Sequence, residues 1–274
     1  MAVLVVAFAL VSAPALLSEA IGRQERIDLT PHRQIQLEAR FVGVAHDDEF
    51  FWLSRQGNGV DEWPAFVKMD EQGTVEGTWQ QDGATIDGGA WDIHWCGTYL
   101  WGSWCSWVRA FDRTGSMQTW FWGPQNPGRA IAQGDTNMFW VTRPGQYIWS
   151  GRWNGAPGST PSWDNITTVT TPGSNGIAYD AARGCVWVTD MTDEKLYKYD
   201  KNGGPILAEV PFSGTLFGTP RGCCMAETTE FGSVLAIVFS DVPGRGDGCQ
   251  LVLFEVTDTP VEQASWSAIK GMFD

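Results

Sequence analysis

Residues 174–204, SNGIAYDAARGCVWVTDMTDEKLYKYDKNGG, read as one finished structural unit. A short apolar run leads into a turn, a second apolar run that ends in Asp190, a polar loop, a third run and the turn DKNG. Alternation marks the runs as strands: Ile177 and Tyr179 point one way, Ala178 and Asp180 the other. Whether the unit is part of an active site or one tile of a repeating wall depends on whether it recurs.

It recurs. The second run carries Trp187, Val188 and Thr189, and the pattern apolar–Trp–x–Ser/Thr returns at FWLS (Trp52), LWGS (Trp101) and FWVT (Trp140), with a degenerate copy, IVFS, holding Val238 in the Trp place. These positions lie 49, 39, 47 and 51 residues apart. The third run and its turn also return, as AFVKMDEQG, SWVRAFDRTG, YIWSGRWNG and, weakly, LVLFEVTD. Asp followed three residues later by Gly is the chemistry of a type I turn closed by a positive-φ residue; Gly73, Gly115 and Gly203 take that place, and Gly155 stands at the matching position after Arg152. Two markers with one period, roughly 45 residues, define a repeat.

Each unit holds about four short strands and cannot bury both faces alone, so radial stacking of neighbours, a β-propeller, is the expected all-β architecture. The 16 Trp and 32 Gly fit aromatic strands punctuated by tight turns. The blades are expected at about 40–82, 83–125, 126–172, 173–217 and 218–270. Five blades of four antiparallel strands are favoured. The remaining stretch within 21–39, QERIDLTPHRQIQLEA, is expected to supply a closing strand beside ASWSAIKGMF, or alternatively to help build a sixth blade.

On SNGIAYDAARGCVWVTDMTDEKLYKYDKNG the chain resembles the NHL-type and gluconolactonase-like (senescence-marker-protein) propellers. In the latter, the resemblance implies a divalent metal at the channel mouth, held by an early acidic residue, the Asn of SNG and an Asp one blade later. Asn175 matches the middle ligand, but Arg221 stands where the last would be, and the earlier equivalents are Arg129, Gly89 and Arg40. Guanidinium groups repel a hard cation, so no metal, no cofactor and no lactonase chemistry are expected. Glycosidase chemistry needs converging carboxylates, and Asp87 is the only acidic residue near the mapped inner-strand starts. There is no G-x-S-x-G either. No catalytic residue is assigned.

Arg40, Arg129, Asn175 and Arg221 should all point toward one mouth of the channel. They would form an anion or carboxylate site, or simply pair with neighbours among the 32 acidic residues. Trp104 and Trp107 flank the loop SWCSWV and would stack on a sugar ring or a neighbouring subunit, or pack between blades. The six cysteines form an even set compatible with disulfides. A hairpin over 90–104 would hold Cys96 and Cys105 on the order of 20 Å apart, whereas Cys249 could reach Cys223 or Cys224. His32, His46 and His94 are not spaced as zinc ligands. Asn165, in NIT, is an N-glycosylation acceptor pattern, and RGD at 245–247 suits an adhesion motif or an ordinary exposed turn.

Residues 1–20, MAVLVVAFALVSAPALLSEA, read as a secretory signal that lacks a basic start, as a retained apolar arm used in assembly, or as a buried strand. A membrane is a partner only if that segment is retained as an anchor. The net charge of −14 opposes nucleic-acid binding. The sequence therefore points to a non-catalytic structural or interaction propeller at an extracellular or particle surface, partnered with itself or another surface protein. Its alternatives are a secreted carbohydrate-binding propeller, a lactonase- or lyase-type enzyme, and a virion or tail component.

Overall fold

The computed structural model describes residues 25–57, 62–84, 88–124, 128–134, 137–143, 145, 147–167, 172–243 and 248–259. The N-terminal segment 1–20, Asp87, the RGD triplet and ASWSAIKGMF lie outside the described residues. The described residues form twenty strands in five four-stranded antiparallel sheets. Blade 1 is β2 (Phe41–His46), β3 (Phe51–Arg55), β4 (Ala65–Met69) and β5 (Val75–Gln80). Blade 2 is β6 (Ile93–Trp95), β7 (Leu100–Trp104), β8 (Trp107–Phe111) and β9 (Met117–Trp122). Blade 3 is β10 (Ala130–Gln133), β11 (Met138–Thr142), β12 (Ile148–Arg152) and β13 (Ser162–Asn165). Blade 4 is β14 (Ser174–Asp180), β15 (Cys185–Asp190), β16 (Lys195–Asp200) and β17 (Ile206–Pro211). Blade 5 takes β18 (Thr219–Thr228), β19 (Gly232–Ser240) and β20 (Cys249–Thr259) from the end of the chain, and β1 (Arg26–Leu37) from its beginning.

The first strands of the blades, β2, β6, β10, β14 and β18, each contact the first strands of two neighbours and so line a closed ring. Five apolar clusters occupy the five spaces between blades. The repeated motif explains them. Trp52, Trp101, Trp140 and Trp187 each pack toward the following blade, and Val238 does the same in the degenerate copy. The next residue in the motif, as at Leu53, Val141 and Val188, faces the preceding blade, as period-2 alternation requires. Two positions after the Trp the side chain again faces the following blade. The Ser54 hydroxyl donates to the Ala90 carbonyl there, and the Thr189 hydroxyl donates to that of Arg221. The motif is thus an aromatic wedge between blades, with a hydroxyl latch added in blades 1 and 4, whereas the equivalent Ser103 and Thr142 hydroxyls are buried without a partner.

The turns after the third strands have the expected chemistry. Asp70 Oδ1 accepts from the N–H groups of Gln72 and Thr74, and Asp112 Oδ1 from those of Thr114 and Ser116. Gly73 and Gly115 follow at φ 97° and 78°.

β1 closes the ring by pairing with β20, from Arg26 opposite Thr259 to Leu37 opposite Cys249. β20 is the third strand of blade 5, and without β1 its outer edge would be an open template for pairing. Ile27, Ile35 and Leu37 bury against the blades, so this segment completes blade 5 and forms no sixth sheet among the described residues.

Candidate functional site at the channel mouth

Because inner strands run the same way round the ring, residues at equivalent repeat positions meet at one end of the channel. Arg40 immediately precedes β2, Arg129 precedes β10, Asn175 is the second residue of β14, and Arg221 the third of β18. Arg129 Nη1 lies 3.5 Å from Asn175 Oδ1, and its guanidinium stacks over Trp91 at 4.3 Å. Burial and the charge of Arg221 both lower the pKa of Arg129. Arg221 is itself lowered chiefly by burial, and Arg40 adds to the effect. Three guanidinium groups therefore share one electrostatic neighbourhood.

The four residues are not equally satisfied. Arg221 donates through Nε to Ser240 Oγ at 2.7 Å, faces Asp241 Oδ2 at 3.3 Å and contacts Met191 Sδ at 2.9 Å. It is a paired cation. Arg129 has no carboxylate in ion-pair reach among the described residues, and its Nε is buried without a partner. Asn175 is fully buried, spends Oδ1 on Arg129 and leaves Nδ2 unpartnered.

Below this mouth the channel is closed. Asp92, just before β6, is fully buried, and its Oδ2 accepts the N–H of Ile177 at 3.0 Å. The N–H groups of Ile93, Ile131 and Val44 face the carboxyl group as well, although Oδ1 has no partner at good hydrogen-bond geometry. Burial outweighs these donors and raises the Asp92 pKa well above the usual carboxylate range, which favours the neutral acid. Backbone crowds round it. A Cβ on Gly43 would come within 2.8 Å of the Asp92 Cα, and one on Gly222 within 2.6 Å of its Oδ1.

The residues present do not fit the divalent cation that the gluconolactonase-like resemblance implies. The one matching amide has its oxygen turned to a guanidinium, Arg221 fills the place of the last ligand, and Asp92 is enclosed by backbone. Among the described residues no three His, Cys, Asp or Glu side chains gather where they could hold a metal ion.

Among solved structures, the chain is similar to the crystal structure of the Myxococcus xanthus glutaminyl cyclase, at a TM-score of 0.62 and 10% sequence identity, covering 86% of this chain and 100% of that one. No protein-family model matches the chain. No curated protein matches it either. The protein is a five-bladed β-propeller. At that identity the similarity extends to the fold and no further.

Trp104 and Trp107 lie together at the end of the β7–β8 hairpin, outside all five inter-blade clusters. They hold the Arg109 guanidinium, which is 4.5 Å from the Trp104 ring and 4.6 Å from that of Trp107. Arg109 also donates to the Gly83 carbonyl at 3.0 Å. With Gly83 and Cys105 these three side chains line a cavity of about 320 Å³. Trp107 and Trp122 remain 37% exposed and meet edge to face, with Trp120 beside both. Asn165 is exposed on the outermost strand of blade 3, while the hydroxyl of Thr167 accepts the Ile148 N–H.

The proposed cysteine pairing is not made, and none of the six cysteines is in a disulfide. Cys223 stands opposite Ile237, which stands opposite Val252, so Cys249 is two strands away and three residues along the sheet. That separation is on the order of 14 Å, far beyond disulfide reach. Adjacent Cys223 and Cys224 project into different inter-blade cores, and burial pushes both thiols up. Cys96 and Cys105 fall at opposite ends of the β6–β7 hairpin.

Sequence reading missed Asp92 and Arg109. Asp92 sits three residues after Gly89, the position mapped to the mouth in this blade, and an acidic residue in the apolar context GGAWD was its only signal. Arg109 reads as an ordinary polar position on an alternating strand.

Proposed function

We propose that this protein is a non-catalytic interaction propeller that holds a carboxylate-bearing group of a ligand or partner at the mouth framed by Arg40, Arg129, Asn175 and Arg221. One observation carries the reading: Arg129 lies 3.5 Å from the Asn175 amide oxygen with no carboxylate on it among the described residues, and buried Asn175 keeps an unpartnered N–H donor. A planar carboxylate offers the lone pairs that a guanidinium and an amide can share. Asp92 supplies no reactive oxygen to that mouth, because it is walled in by backbone. An extracellular or particle-surface location, and assembly through residues 1–20, belong to the same proposal and are tested by intact mass and light scattering of the native protein.

Calorimetric titration of the full chain with succinate and with neutral succinamide tests the site. Saturable binding of succinate alone, weakened about tenfold or more in a folded Arg129→Met variant, supports it. Equal heats for both compounds would sink it. Incubation with a glutaminyl peptide tests the catalytic alternative suggested by the structural neighbour, and turnover would overturn the non-catalytic part.

The exposed faces of Trp107 and Trp122 beside the Arg109 cavity favour a second reading, a carbohydrate-binding surface on blade 2. Glycan-array binding that disappears in Trp104→Ala or Trp107→Ala would establish it, and a blank array would remove it.

A further inference from the structure

The opposite end of the channel carries different chemistry. A cavity of about 250 Å³ lies there between blades 1, 2 and 5, lined by His46, Asp48, Trp95, Gly97, Met225, Ala226 and Glu227. Its walls are the Trp95 ring and the Met225 and Ala226 side chains, and its exposed rim holds two carboxylates, Asp48 and Glu227. No cation is among the lining residues. The cation at this wall, Arg113, stacks over Trp95 at 4.7 Å and pairs with Asp47 at 2.9 Å rather than with either rim carboxylate. The two rim carboxylates are left without it.

His46 provides the independent observation. It is only 7% exposed, it forms part of the lining, and its Nε2 is buried without a hydrogen-bond partner. Desolvation lowers its pKa, so the ring is neutral at physiological pH in spite of the acidic groups near it. A neutral imidazole protonated at Nδ1 presents Nε2 as an acceptor.

We propose that this cavity is a binding site for an organic primary ammonium group, such as an amine ligand or a lysine side chain or amino terminus of a partner. The ammonium N–H groups would donate to Asp48, Glu227 and His46 Nε2, with the methylene chain against Trp95 and Met225. Ammonium is the complementary ion for two carboxylates, a free acceptor nitrogen and an aromatic wall. This site is independent of the Arg mouth, from which Asp92 separates it.

Titration of the full chain with n-butylammonium, followed by calorimetry and tryptophan fluorescence, tests the proposal. Saturable binding is expected, with tetramethylammonium, which has no N–H, about tenfold weaker. Glu227→Gln and Asp48→Asn should each weaken n-butylammonium binding about fivefold or more. Asn suits position 48 because the residue sits at φ 72°. Arg129→Met at the other mouth should leave this binding unchanged, so the two sites fail or hold separately. No saturable n-butylammonium binding, equal affinity for the two ammonium probes, or unchanged affinity in a folded Asp48→Asn/Glu227→Gln double variant would each overturn it.

Discussion

Asp92 Oδ2 in blade 2 accepts the backbone N–H of Ile177 in blade 4 at 3.0 Å, although blade 3 stands between the two in the ring. One side chain therefore ties non-adjacent blades across the channel axis. Removing it leaves a buried N–H with no partner, which costs about 1–3 kcal/mol. Asp92→Ala should lower the unfolding free energy by that amount, and Asp92→Asn by less, because the amide oxygen still accepts from Ile177. Urea unfolding monitored by tryptophan fluorescence checks both, and equal losses would show that the hydrogen bond is immaterial.

Gly222 and Gly43 meet at the axis, where a Cβ on Gly222 would stand 2.5 Å from the Gly43 Cα. Backbone cannot yield there as a flexible side chain would. Gly222→Ala should therefore cost about 3 kcal/mol or more, or prevent folding. Gly97 is the control: its φ is 85° and nothing lies within 4 Å of a Cβ, so Gly97→Ala should cost only about 1–2 kcal/mol. Thermal melts of the two variants decide the order.

Burial pushes the His94 imidazole down to about 4 from 6.5. Between those values the unfolded chain takes up a proton that the folded chain refuses, so His94 makes stability fall as the pH drops through that window. Asp92 acts in the opposite sense. Its raised pKa keeps a proton in the folded state that the unfolded chain has released, so its contribution falls as the pH rises above 3.8. The stability difference between the wild type and His94→Gln isolates the histidine. That difference should shift against the wild type on going from about pH 7 to about pH 5, and a constant difference would show that His94 titrates normally.

The cysteines give a chemical test of the blade packing. Cys105 is exposed and Cys96 partly so, while Cys185, Cys223, Cys224 and Cys249 are buried. A thiol reagent should label Cys105 first and Cys96 more slowly in the native protein. The other four should react only on unfolding, giving six thiols without added reductant. Fewer than six in denaturant would reveal a disulfide that the fold excludes.

The sequence by itself favoured five blades over six, a count that the five sheets of the structure decide, and determined the repeat and the Asp–Gly turns. Each depends on local periodicity: an alternating strand, a Trp every blade, a turn needing positive φ. It also set the expectation that Arg129, Asn175 and Arg221 point toward one mouth, since equivalent positions in stacked units converge on one axis. Only the tertiary structure decided what those residues meet there. The Arg221–Asp241 pair, the unpartnered Nε of Arg129 and the unpartnered Nδ2 of Asn175 depend on side-chain paths that no spacing encodes. The same holds for Asp92 reaching Ile177, Arg109 caught between Trp104 and Trp107, and β1 finding β20 from the far end of the chain. The Asp92–Ile177 and β1–β20 contacts join residues distant in sequence and are fixed only once the ring closes. Arg109 instead meets its two Trp rings within a single hairpin, by side-chain paths that strand periodicity does not specify.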